Sequence, residues 1–194
     1  MTSPLKQAYL GMQCFWGVES TFAKLGGVKK LGHVGYAGGD MLNPTYANIG
    51  DHTEITEVQY DENLCSYKEI LDWFSRITIR HQKATAEEAL KNEQKKYGSR
   101  AVQTYLKKLD KFYQAEDYHQ KYWLRCQRSI FKQLKLSEAE VVNSVLAAKI
   151  NAYLAGYDNF AELKSLATEY KLNDNLVTVI EEIARAGGDP RACH

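Results

Sequence analysis

This chain has almost no net charge: 25 Lys and Arg stand against 24 Asp and Glu, a formal balance of +1. That balance removes the electrostatic reason to expect nucleic acid or an anionic membrane as the main partner. Long apolar runs are missing too, and nothing approaches the ~20 consecutive apolar residues that cross a bilayer. The first seven residues, Met1 to Gln7, have neither the apolar stretch of a secretory signal nor the Arg-rich look of a transit peptide. A cytoplasmic location is the expectation. Four cysteines, at 14, 65, 126 and 193, are too few and too scattered for a disulfide-stapled secreted scaffold. They suit a reducing compartment, as buried, free or catalytic thiols. His33, His52, His81 and His119 have no spacing to one another or to the cysteines that would hold zinc, so no metal is expected.

What is present is a foldable chain of 194 residues, 44% hydrophobic and 11% aromatic, the size of one generous domain or a domain with an appendage. Residues 8–12 form a short buried-strand pattern. Val18, Phe22 and Leu25 then trace an amphipathic helix that Gly26-Gly27 stops. Strand patterns follow at 28–34 and 53–60, separated by Gly35-Tyr36-Ala37-Gly38-Gly39 and Asn43-Pro44-Thr45-Tyr46, both read as permissive turns. Ser66 with Glu69 is a capping-box pair opening a helix over Ile70, Leu71 and Phe74. Residues 77–79 and 102–106 are further strand candidates, and 83–96 is a polar helix.

Near residue 126 the pattern changes to helices only. Ser137 and Glu140 form a second capping box before Val141, Val142, Val145, Leu146, Ile150 and Leu154, with Gly156 as the stop. Asn159 and Glu162 repeat the cap before Leu163, Leu166 and Tyr170. Leu176, Val179, Ile180 and Ile183 make a third run, ended by Gly187-Gly188. The expected organisation is therefore α+β over 1–125, then an all-α extension over 126–194 whose tail carries Cys193.

Chemistry concentrates around Cys14-Phe15-Trp16-Gly17. A cysteine between a strand end and a helix start meets unpaired N–H groups and the positive end of the helix dipole. Such places can favour a thiolate, and two adjacent rings can wall in an uncharged group. A buried structural cysteine in an ordinary strand–helix turn is the alternative. Glu54 sits in a strand otherwise rich in Ile, Val and Tyr. Sharing a face with Thr56, Val58 and Tyr60 would half-bury it and fit it for proton donation; an exposed edge carboxylate is the other reading. Ala115 to Tyr122 packs two acids, a histidine and two tyrosines into eight residues. That stretch fits a catalytic segment or a polar junction bracing one.

Four stretches, Cys14-Phe15-Trp16-Gly17-Val18-Glu19, Gly35-Tyr36-Ala37-Gly38-Gly39, Asn43-Pro44-Thr45-Tyr46 and Phe112 to Gln120, stand in this order. Together they make residues 7–123 resemble the peptide methionine sulfoxide reductase A family. The resemblance implies a two-layer ferredoxin-like sheet-and-helix fold and reduction of methionine-S-sulfoxide, free and in proteins, in the repair of oxidative damage. It implies Cys14 as the attacking thiolate, Glu54 as proton donor, Tyr46 as a hydrogen-bonding tyrosine, and Phe15 and Trp16 as the wall receiving the methyl group. A Glu54 neutral near pH 7 must be held well above the ordinary ~4.3, at a cost of ~3–4 kcal/mol. Attack leaves methionine and a Cys14 sulfenic acid. A resolving cysteine, Cys193 on the tail or alternatively Cys126, then forms a disulfide that thioredoxin reopens, while Cys65 is structural. No metal, flavin or nicotinamide is called for, and a monomer is expected.

The chain departs from the family pattern in three places. Gln13 precedes the cysteine where the family carries Gly. The Gly50 to Glu54 approach is about two residues short. After Phe74 no block matches the loop that supplies a second tyrosine; Tyr97 is the remaining candidate. Lacking that loop, the chain could instead bind oxidised methionine or a partner without turning it over, or serve as a peroxidase on the same thiol.

Overall fold

The computed structural model describes residues 4–11, 14–26, 28–73, 88, 91, 92, 94, 95 and 109–192. Four antiparallel strands form one sheet in the order β1-β3-β2-β4, with β1 at Lys6–Gly11, β2 at Val28–Ala37, β3 at Thr53–Tyr60 and β4 at Phe112–Gln114. Helix α1 (Phe15–Phe22) joins β1 to β2, and α2 (Tyr67–Trp73) follows β3. Beyond Gln120 the described chain is helical: α3 (Tyr122–Cys126), α4 (Arg128–Leu134), α5 (Glu138–Asn143), α6 (Val145–Tyr153), α7 (Phe160–Glu169) and α8 (Asp174–Arg185). The protein is α+β.

Alternation sets the layers. Thr56, Val58 and Tyr60 of β3 are buried, and Val58 and Tyr60 join Ala8 and Leu10 of β1 in a core with Val18 and Phe22 of α1 and Ile70 and Leu71 of α2. Eight residues are too few for α1 to persist alone. Burying Val18 and Phe22, at ~1.5–3 kcal/mol each, is what fixes it on the sheet. Ala148 and Ala152 of α6 complete the same core, and their small side chains let that helix lie close to it. A second core forms among the later helices around Leu124, Ile130, Leu146, Ile150, Leu163 and Ile180.

Several expectations hold in detail. Ser66 and Glu69 close a reciprocal cap, with Ser66 N–H donating to Glu69 (2.8 Å) and Glu69 N–H to the serine oxygen (3.2 Å). Ser137 and Glu140 do the same, and Asn159 accepts from Glu162 N–H at 3.2 Å. Residues 88, 91, 92, 94 and 95, from the expected polar helix, are helical. The strand candidates at 77–79 and 102–106 lie outside the described residues.

Other expectations change. Gly35 to Ala37 is strand, not turn: β2 runs through it because Gly35 lets β4 come close. A Cβ on Gly35 would stand 2.2 Å from the Tyr113 carbonyl oxygen. The chain turns only from Gly38, whose φ is 89°. The first C-terminal apolar run, expected as one helix, is two. At Ser144 the backbone is extended, and its hydroxyl caps a new helix by accepting from Ala147 N–H (3.1 Å). Helices α3 and α4 and strand β4 were not foreseen.

Candidate active site

Cys14 is the N-cap residue of α1, half-buried, with its carbonyl accepting from Gly17 N–H at 3.1 Å. Across from it, Glu54 on β3 sends its carboxyl to the same helix start and accepts from Phe15 N–H at 3.0 Å. Thr56, two residues along on the same face, donates to the Phe15 carbonyl at 3.5 Å. Residues 14 and 54, forty positions apart, thus meet because β1 and β3 pair in register (Gly11 opposite Ile55) and α1 springs from the end of β1.

Aromatic rings enclose this point. Phe15, 1% exposed, lies 6.2 Å from Trp16, 6.1 Å from Tyr36 and 5.1 Å from His119 between ring centroids. Trp16 stacks on Tyr122 at 3.7 Å with the planes nearly parallel. Its indole N–H donates to His119 Nδ1 at 3.2 Å. That bond leaves Nδ1 without a proton, so a neutral His119 carries its hydrogen on Nε2. Burial lowers the His119 pKa, against the pull of Glu116 upward, and favours this neutral form. Tyr46 and Tyr118 cover His119 at 4.6 and 4.0 Å; both tyrosines are about half exposed and form the rim.

Glu116 joins the motifs to one another. It accepts from the Tyr36 hydroxyl at 2.9 Å and from Tyr46 N–H at 3.0 Å. Burial raises its pKa, but backbone N–H groups, the Tyr36 hydroxyl and His119 outweigh burial and hold the carboxyl below its ordinary value. Tyr36, buried against this acid, is pushed far up and stays a phenol. The loop bearing Tyr46 is gripped elsewhere by Asp51, which accepts from Asp40 and Met41 N–H. His52 accepts from Gly39 N–H and bonds the Met41 carbonyl at 2.8 Å.

The next two residues brace the frame. Gln120 is fully buried and fills the place of a strand partner for Val34, accepting from Val34 N–H (3.0 Å) and donating to Val34 O (2.9 Å). Lys121 and Glu19 form a fully buried ion pair at 2.6 Å, and the lysine also donates to Gly32 O at 3.1 Å. The stretch from Ala115 to Tyr122 therefore does both things the sequence allowed: Glu116, His119 and Tyr122 face the rings, while Gln120 and Lys121 hold α1 to β2.

The structure brings together Cys14, Phe15, Trp16, Tyr46 and Glu54, all expected at one site. Tyr36, Glu116, His119 and Tyr122 were not assigned roles from sequence, although each lies in a quoted motif. Tyr97 and Cys193 lie outside the described residues. Cys126, half-buried at the end of α3, lines a cleft together with Tyr118 and Tyr122. Cys65 is 2% exposed, donates to Ser66 O, and is pushed up by burial and by Glu69. Among the described residues no group of three or more His, Cys, Asp or Glu could hold a metal ion.

A cysteine opening a helix, a carboxyl on the adjoining N–H and a wall of rings thus stand together at the start of α1. The family model described as Peptide methionine sulfoxide reductase matches residues 6–79 and 77–150. The chain is 36% identical over 179 residues to a peptide methionine sulfoxide reductase of Drosophila melanogaster, covering 82% of this chain and 72% of that protein. It is 33% identical over 204 residues to peptide methionine sulfoxide reductase A5 of Oryza sativa, covering 93% and 76%. Among solved structures it is similar to methionine sulfoxide reductase A of Corynebacterium diphtheriae. There the TM-score is 0.54 at 25% identity, over 63% of this chain and 76% of that one. The chain belongs to the peptide methionine sulfoxide reductase family and is an oxidoreductase.

Proposed function

We propose that this chain reduces methionine-S-sulfoxide, free and in oxidised proteins, with Cys14 as nucleophile. The observation that carries the reading is the Glu54 carboxyl, 3.0 Å from Phe15 N–H, beside the cysteine and under the Phe15–Trp16 wall. The substrate's methyl group packs on those rings and its S–O bond points toward Glu54 and Tyr46. The Cys14 sulfur attacks the sulfoxide sulfur. Glu54 passes a proton to the departing oxygen and Tyr46 hydrogen-bonds it, so methionine leaves and Cys14 keeps the oxygen as a sulfenic acid. A resolving thiol, Cys193 or alternatively Cys126, displaces that oxygen as water and forms a disulfide, which the thioredoxin dithiol reduces. Every electron comes from thiols, so the cycle calls for no bound cofactor. The enzyme acts as a cytoplasmic monomer. Its strands β1, β3 and β2 supply three strands of a ferredoxin-like sheet over residues 1–125, with 126–194 as a helical extension.

The test is turnover of separated S and R epimers with dithiothreitol and with thioredoxin. Consumption of the S epimer alone, lost in Cys14→Ser with the circular dichroism spectrum unchanged, is expected. Turnover retained in that variant, or binding without consumption, overturns the proposal.

A further inference from the structure

Beyond the Trp16–Tyr122 stack lies a second cleft of about 320 Å³, lined by Tyr118, Tyr122, Arg125, Cys126, Arg128 and Arg191. Its volume falls at the small end of ligand sites, room for a short peptide-like molecule. The nucleophile in it is Cys126, which lines the cleft together with Tyr122 and Arg191. Arg191 is itself fixed by Asp189 through bonds of 2.8 and 2.6 Å. Arg125 is ion-paired to Glu138 and donates through Nε to Gln120 O, but its Nη2 is buried with no hydrogen-bond partner among the described residues. Arg128 stands exposed at the mouth with no acidic partner among them. Three arginines thus line the cleft with a free thiol, and the two acids nearby, Asp189 and Glu138, are already engaged.

We propose that this cleft takes a small disulfide bearing carboxylates and that Cys126 forms a mixed disulfide with half of it. A planar guanidinium matches a carboxylate with paired N–H donors. Exposed Arg128 supplies donors that no acid of the described residues occupies. The step is an exchange. The Cys126 sulfur attacks one sulfur of the ligand, the ligand's S–S bond breaks as the new one forms, and the Cys126 proton leaves with the departing thiol. No net oxidation is required beyond the disulfide consumed. Because Tyr122 touches both Cys126 and the stacked face of Trp16, an adduct here presses on the back of the aromatic wall. This proposal does not depend on the substrate assigned to Cys14.

The experiment incubates the full chain with oxidised glutathione, an anionic probe, and separately with cystamine, a cationic one. Peptide mapping by mass spectrometry follows occupancy of Cys126. Each rate is divided by that of Cys126 in the urea-unfolded chain, which cancels the probes' intrinsic reactivities. The expected result is a preference of about three- to tenfold for the anionic probe at low ionic strength. That preference collapses toward unity in 1 M salt and shrinks in Arg128→Gln. Equal or faster reaction with cystamine overturns the proposal. So does a preference unchanged in Arg128→Gln, or a Cys126 found joined to Cys193 in place of either adduct.

Discussion

Replacing Lys121 by Met tests the account of how α1, and with it Cys14, is held. The side chain is fully buried, 2.6 Å from an equally buried Glu19, so the substitution fills similar volume but strands a carboxylate away from water. Losing one partner of a buried pair costs ~3–5 kcal/mol. The bond to Gly32 O adds ~1 kcal/mol. The left-handed backbone at residue 121 (φ 56°) is equally strained for Lys and Met and so cancels. For a domain of this size each kcal/mol lowers the melting temperature by ~2–4 °C, giving a fall of about 8–24 °C. Thermal and urea unfolding followed by circular dichroism measure it. A double variant, Glu19→Gln with Lys121→Met, removes both charges while keeping an acceptor for the Lys121 N–H (3.0 Å), and should recover more than half of the loss. A single variant within 1 kcal/mol of the parent, or a double variant as unstable as the sum of the two single ones, refutes the reasoning.

Glu54→Gln keeps an acceptor for Phe15 N–H but no transferable proton. The rate of sulfoxide reduction should fall ~10²–10⁴-fold with little change in melting temperature, as steady-state kinetics beside a thermal melt would show. Stability should decline as pH drops below ~6.5, the ordinary histidine value. His119 has a lowered pKa in the fold, so the unfolded chain takes up its proton first and is favoured; His119→Asn should flatten that part of the curve in urea titrations from pH 7.5 to 5.5. Gly35→Ala should cost ~1–3 kcal/mol, read from the urea midpoint, because the added methyl meets the β4 backbone at Tyr113 as well as the Phe112 ring.

Much of this fold could be read from the chain because local rules and tertiary demands agree in it. β3 spans the residues the sequence marks, with Thr56, Val58 and Tyr60 buried on one face, and the Ser66, Ser137 and Asn159 caps lie where a hydroxyl or amide precedes an apolar stripe. β2 was cut short because glycine ordinarily signals a turn. Here Gly35 serves a neighbouring strand whose approach no local window contains. Ser144 was missed for a related reason: the apolar spacing of 141–154 continues in helical phase across the break, and only the cap chemistry at residue 144 marks it. In the site, Cys14 and Glu54 were legible because each is an odd residue in its setting. Glu116 and His119 were less so, since their roles consist of partners 70 to 103 residues away, and a polar residue's spacing says nothing about which distant group it will meet.

The loop from Gly39 to Tyr46 is gripped by its main chain. Asp51, His52 and Glu116 reach its amides and a carbonyl, while exposed Leu42 is asked for nothing by those bonds. Such a loop can change its outward side chains freely and still present the tyrosine at one height above His119. Drift in sequence is thereby separated from drift in geometry, and relatives can acquire different rims around an unaltered reacting centre.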